Sequence, residues 1–192
     1  MPCGRANAET LLGKTGNTPL GLYECPAPYH RLLSPELMGW CAGTGRFRFI
    51  KETSCEMRSI TEKIEAVRNS PLRFYNANVA TLLASLKAGG DGFCGTGANF
   101  FPELYVWLCN EFEAQPDAAA DLQRFLSVAQ KVVASKYKAS AKKYLAMQGM
   151  GIGTACRDLE VTFREDDVLT LHHLSELVAD SREALGIASP VF

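Results

Sequence analysis

The sequence has no apolar run approaching the roughly 20 residues that a membrane-spanning helix needs. Its opening, Met1-Pro-Cys-Gly-Arg-Ala6, shows no apolar stretch of the kind found in secretion signals. An excess of one charge is also missing. Lys and Arg number 20 against 21 Asp and Glu, a net charge of -1, which gives no electrostatic case for nucleic acid or an anionic membrane as a partner. The seven cysteines are Cys3, Cys25, Cys41, Cys55, Cys94, Cys109 and Cys156; they are odd in number, scattered, and include no C-x-x-C pair. A disulfide framework or a structural zinc site is therefore not expected. Reduced thiols in a cytoplasmic protein, used mostly as small apolar groups, fit better. Internal repeats and low-complexity segments are absent. The one glycine-rich stretch, Gly149–Gly153, has neither a preceding strand nor a following Lys-Ser/Thr, so it reads as a turn rather than a phosphate loop.

What is present is an ordinary globular composition, 47% hydrophobic and 21% charged over 192 residues, enough to build a core. Four strand-like runs occur at Pro19–Tyr23, Phe47–Lys51, Leu72–Tyr75 and Gly92–Gly95. Each is followed by a helix-like segment, at about Pro35–Ala42, Glu56–Arg68, Val79–Lys87 and Pro102–Ala114. This alternation predicts βα units and a parallel sheet, an α/β fold. Ser34, with Pro35 and Glu36 behind it, is placed to cap a helix. Beyond residue 115 the pattern turns helical: Leu122, Phe125, Leu126, Ala129 and Val132/Val133 recur at helical spacing. Two further helices are expected around Ala141–Met147 and Leu171–Leu185.

Tyr23 and Lys51 end the first two strand-like runs, the edge where reactive groups collect in α/β proteins. Strict alternation along Phe47-Arg-Phe-Ile-Lys51 puts Phe47, Phe49 and Lys51 on one face. An amine attacks a carbonyl only when neutral, and desolvation lowers the pKa of a lysine from its ordinary ~10.4. A lysine behind two aromatics thus suits a Schiff-base nucleophile, and a neighbouring phenol could relay protons. On spacing alone the competing reading is a strand-end lysine reaching into solvent and a tyrosine in the core.

Three motifs add weight. Leu20-Gly-Leu-Tyr23-Glu-Cys-Pro26 resembles the fifth-strand motif of the dihydrodipicolinate synthase/N-acetylneuraminate lyase family, a tyrosine followed three residues later by proline. Phe49-Ile-Lys51-Glu-Thr-Ser54 is similar to its sixth-strand motif, and Ala88-Gly-Gly-Asp-Gly92-Phe-Cys-Gly-Thr-Gly-Ala-Asn99 to its glycine-rich eighth-strand motif. All three stand in the family's order and separation, with the resemblance running from about Thr18 to Leu185. It implies part of a (β/α)8 TIM barrel, strands five to eight, over residues 1–115, and a C-terminal helical extension over 116–192. It further implies that Lys51 forms an imine with pyruvate or a related 2-oxo acid, that Tyr23 moves protons, and that Cys94 and Gly95 line the substrate pocket. No metal or organic cofactor is required by such chemistry. Homo-oligomers, often tetramers, are the family's habit.

The departures are informative. Dihydrodipicolinate synthases look for an arginine five residues after the tyrosine; here that residue is Pro28, with Arg31 displaced and His30 a candidate substrate contact. Sialic-acid lyases carry an acidic pair after strand seven, where this chain has Asn76-Ala-Asn-Val-Ala80. A complete barrel takes roughly 250 residues, and no counterpart of the early carboxylate-binding motif is found. A half-barrel would leave edges open at Pro19–Tyr23 and Gly92–Gly95, so association or poor solubility is expected of it. The alternative to an active lyase is a truncated, inactive half-barrel serving as an interaction or pseudoenzyme module.

Overall fold

A computed structural model describes residues 2–157 and 160–190. The chain divides into two compact units whose boundary falls between Cys94 and Gly95.

The first unit begins with helix α1 (Pro2–Lys14) and then alternates β1 (Leu20–Tyr23), α2 (Pro35–Gly43), β2 (Phe47–Glu52), α3 (Met57–Val67), β3 (Arg73–Asn76), a 3-10 turn into α4 (Leu82–Lys87), and β4 (Gly92–Phe93). The four strands form one sheet in the order β1-β2-β3-β4, every pair parallel. The expected strands and helices are thus all present, with ends moved by a few residues. Ser34 caps α2 by accepting from the Leu37 amide, and Pro35 sits at the first helical position.

One face of the sheet is covered. Met38, Cys41 and Ala42 from α2 and Ile60, Ile64 and Val67 from α3 pack on Phe47, Ile50, Leu72 and Phe74. Positions 60, 64 and 67 form the apolar stripe of an amphipathic helix, so α3 must lie with that stripe on the sheet. Each large buried side chain of this kind stabilises the fold by roughly 1.5–3 kcal/mol. Cys41 belongs to the same core at 2% exposure, and burial pushes its thiol up to about 11. It is expected to resist iodoacetamide at neutral pH in the folded protein while exposed Cys25, Cys55 and Cys94 react. Peptide mapping by mass spectrometry checks this; alkylation of Cys41 as fast as of Cys25 would contradict its burial.

The expectation that Phe47 shares a face with Phe49 and Lys51 is wrong. Leu20 pairs with Phe47 but Gly21 with Phe49, so β2 carries one extra residue, Arg48, against β1. Such a bulge shifts the side-chain alternation by one. Phe47 therefore turns into the helix-covered core, at 2% exposure, while Phe49 is 46% exposed. The Phe49 ring lies over Gly21, where any Cβ would meet it at 2.3 Å.

The second unit is helical: a 3-10 turn (Thr96–Asn99), α5 (Pro102–Glu111), α6 (Pro116–Ala134), α7 (Ala139–Met147) and α8 (Glu165–Leu185). Leu122, Leu126, Ala129 and Val133 are buried on α6 at the expected spacing. Phe100, Phe101, Tyr105 and Tyr144 form an aromatic cluster with ring centroids 5.4–6.1 Å apart. Arg182 of α8 pairs with Glu103 of α5 at 2.6 Å. The stretch Gly149–Gly153 is non-helical chain between α7 and α8, as expected of a turn. Among the described residues no helix is long and apolar enough to cross a membrane.

Candidate active site

Tyr23 and Lys51 end up side by side. They are register partners at the C-terminal ends of β1 and β2, and the Lys51 Nζ lies 4.7 Å from the centroid of the Tyr23 ring. The contact is an ammonium on an aromatic face, an attraction of roughly 0.5–1 kcal/mol where solvent has access. Solvent does have access: Tyr23 is 51% exposed and Lys51 is half-buried. Partial burial pushes the phenol above its ordinary value. A hydrogen bond with Cys25 and the charges that the Cys25 and Cys94 thiols would carry add to the rise. Tyr23 is consequently a phenol, not a phenolate, throughout the neutral range.

Cys94 follows β4, is exposed, and its amide donates to the Asn76 carbonyl at 2.9 Å, which extends the β3–β4 ladder. Gly95 is the first residue of the second unit; it is extended and precedes the 3-10 turn. Asn76 is fully buried, its amide donating to Thr81 and its oxygen accepting from the Asn78 amide. Asn76 is thus held as a structural side chain. Arg31 stacks over the Tyr29 ring at 5.7 Å, in an exposed loop.

His30 is joined to the strand ends. Its Nε2 lies 2.8 Å from Thr53 Oγ1, and that hydroxyl donates at 2.6 Å to the Glu24 carbonyl. Thr53 has a single hydroxyl proton, already given to an acceptor, so the imidazole Nε2 must be the donor.

Sequence reasoning passed over the other side of these strands. Glu24 and Glu52 directly follow Tyr23 and Lys51, and alternation sends both to the helix-covered face. There Lys63, from the apolar stripe of α3, donates to Glu24 Oε1 at 2.7 Å and Glu52 Oε1 at 2.9 Å. All three side chains are at most 1% exposed. The legible signal was a lysine between Ile60 and Ile64 on a stripe that must be buried. Glu24 also accepts from the amides of Leu33 and Thr53, and Glu52 from that of Ser54, while Glu52 Oε2 has no partner among the described residues. A cavity of about 260 Å³ in the second unit, and a groove of about 410 Å³ there, are lined by neither Tyr23 nor Lys51. Among the described residues no cluster of His, Cys, Asp and Glu is placed to hold a metal ion.

Residues 8–176 match the model of the Dihydrodipicolinate synthetase family. No curated protein matches the sequence directly. Among solved structures, a monomeric dihydrodipicolinate synthase variant is similar at 19% identity and a TM-score of 0.79, over 90% of this chain and 59% of that one. Dihydrodipicolinate synthase from Thermotoga maritima is 20% identical, with a TM-score of 0.73 over 95% of this chain and 61% of its own. A prophage protein of the dihydrodipicolinic acid synthase family from E. coli K12, in complex with pyruvate, is 20% identical, with a TM-score of 0.76 over 91% and 62%. At these identities the likeness shows the fold, and the chain spans about three fifths of the length of these solved structures.

Proposed function

The chain belongs to the dihydrodipicolinate synthetase family, and from that premise we propose that it supplies strands five to eight of a Schiff-base lyase barrel, with a helical extension from residue 116. The substrate is pyruvate or a related 2-oxo acid. The observation that carries this reading is the pairing of Tyr23 with Lys51 at the strand ends, with the Lys51 Nζ over the Tyr23 ring. The pyruvate complex of the E. coli K12 relative supports the substrate class.

In this reading the neutral Lys51 amine adds to the C2 carbonyl of the 2-oxo acid. The nitrogen gives up its two protons, the carbonyl oxygen takes up two and leaves as water, and an imine remains. Tyr23, a neutral phenol with an oxygen that can also accept, relays these protons from nitrogen to the departing oxygen. The protonated imine then withdraws electrons from the neighbouring carbons, so bond cleavage or addition there needs no metal. Cys94 and the Gly95 backbone line the pocket in the same reading, and homo-oligomeric assembly belongs to it. Asn76 and its neighbours, engaged with one another and free of carboxylates, argue against a polyhydroxylated sugar acid held through acidic groups.

Incubation with pyruvate and borohydride is expected to fix a reduced adduct on Lys51 and on no other lysine, read by peptide mass spectrometry. A folded preparation that gives no adduct at Lys51 would remove it from the chemistry.

A further inference from the structure

We infer that Lys63 is a positioning residue for this chemistry: its buried ammonium, bridging Glu24 and Glu52, holds the two strand ends so that Tyr23 and Lys51 face each other on the opposite side of the sheet. The inference rests on the Schiff-base reading above and adds a residue outside the reacting pair.

The geometry is direct. Tyr23–Glu24 and Lys51–Glu52 are adjacent pairs on neighbouring parallel strands. Successive side chains on a strand point to opposite faces, so fixing the orientation of residues 24 and 52 fixes that of 23 and 51. One nitrogen fixes both carboxylates, at 2.7 Å and 2.9 Å. It comes from α3, which the apolar stripe Ile60, Ile64 and Val67 anchors to the sheet. Further bonds lace the same level: the Glu24 amide to the Lys51 carbonyl at 3.2 Å, the Thr53 amide to Glu24 Oε2 at 3.0 Å, and the Thr53 hydroxyl to the Glu24 carbonyl at 2.6 Å.

Such a device has a reason to exist here. β1 is four residues long and a bulge interrupts its ladder to β2 one residue in, so only Gly21, Leu22 and Tyr23 pair in continuous register before the chain turns away. A short ladder with a nearby bulge specifies register weakly. A slip of one residue would send Tyr23 into the helix layer. It would also bring Glu24 out, leaving Lys63 with half its partners, a costly exchange for a cation at 1% exposure. The buried charges therefore penalise the wrong register while making no contact with the reacting atoms. A hydrophobic core alone would not discriminate as sharply, because Leu20 and Leu22 are only partly buried.

The test uses two variants of the purified protein. Glu24→Gln with Glu52→Gln and Lys63→Met replaces the charged set by uncharged groups of similar volume; it gives up one of the two backbone-amide hydrogen bonds that Glu24 accepts, and is expected to remain folded at reduced stability. Glu52→Gln alone is the milder change: it keeps an acceptor for Lys63 but removes one of its two ionic partners. Both are read by the limiting rate and half-saturating pyruvate concentration of borohydride trapping at Lys51, alongside circular dichroism. The triple variant is expected to lose at least tenfold in the limiting rate, and Glu52→Gln about threefold, with half-saturation moving less than threefold in each. A purely structural triad would lower melting temperature without changing the limiting rate of the folded fraction. If either folded variant traps pyruvate within 1.5-fold of the wild-type limit, the positioning role is overturned. Failure of the wild-type protein to label at Lys51 overturns the Schiff-base reading instead, so the two failures are distinct.

Discussion

Tyr23→Phe is expected to slow imine formation on Lys51 by on the order of 10²–10⁴-fold, the usual worth of a placed proton-transfer group. The exchange deletes one oxygen and keeps the ring. The ring is what Lys51 Nζ touches, 4.7 Å from its centroid, so the amine stays where it was. Pyruvate binding should accordingly change little, and the loss should fall on the limiting rate. The pH dependence separates the roles further. The phenol is raised above its ordinary value, by burial first and the Cys25 hydrogen bond next, so it keeps its proton through neutral pH and gives it up only on the alkaline side. Wild-type imine formation should then show an alkaline fall lying above the usual tyrosine range, and the phenylalanine variant should lack that limb. Equal limiting rates for the two proteins by rapid-quench trapping would make Tyr23 a packing residue.

That pair of residues was legible because chemistry and position coincide: both stand at the end of a strand-like run, just before a loop, and both fall in recognisable motifs. The parallel sheet was legible for a similar reason, since period-2 runs and 3.6-period runs alternated at regular spacing. The Arg48 bulge was not. Period-2 reasoning assumes an uninterrupted pleat, and nothing in Phe47-Arg-Phe-Ile-Lys51 marks the extra residue; only the pairing of Leu20 with Phe47 and Gly21 with Phe49 reveals it. In retrospect Gly21 is a hint, since it leaves the room that the Phe49 ring fills.

The buried triad was hidden for another reason. Charged residues at the end of a strand are read as solvent-facing, and Glu24 and Glu52 gain their partner only from a helix that follows in the chain. Their burial is a tertiary fact, set by how α3 crosses β1 and β2. A lysine within an apolar stripe hinted that something must compensate it, and two acids placed one residue past Tyr23 and Lys51 were the available answer. The site thus has two layers: an exposed pair that the sequence displays, and a buried ionic layer beneath it that only the packed fold brings together.

That buried layer makes Lys63→Met, alone, the most damaging single substitution expected in the first unit. The side chain is 1% exposed and donates to two carboxylates that are themselves buried. Methionine matches its length, so packing is nearly kept, yet Glu24 and Glu52 lose their cation. Removing one partner of a buried ion pair typically costs about 3–5 kcal/mol, because the remaining charge is left uncompensated in the core. Against a total stability of roughly 5–15 kcal/mol, that is enough to populate the unfolded state. The neutral triple variant should recover part of the loss, since uncharged groups of similar volume replace the whole set but one backbone amide at residue 24 loses its acceptor. Arg58→Met makes the control: Arg58 pairs with Glu62 on the same helix at 3.0 Å, but its side chain is 91% exposed, and the urea midpoint should stay essentially unmoved. Urea unfolding of the four proteins reads all of this at once. A Lys63→Met protein within about 1 kcal/mol of wild type would mean that water or a rearranged loop compensates the two carboxylates, and the ionic layer would then hold neither the fold nor the register of Tyr23 against Lys51.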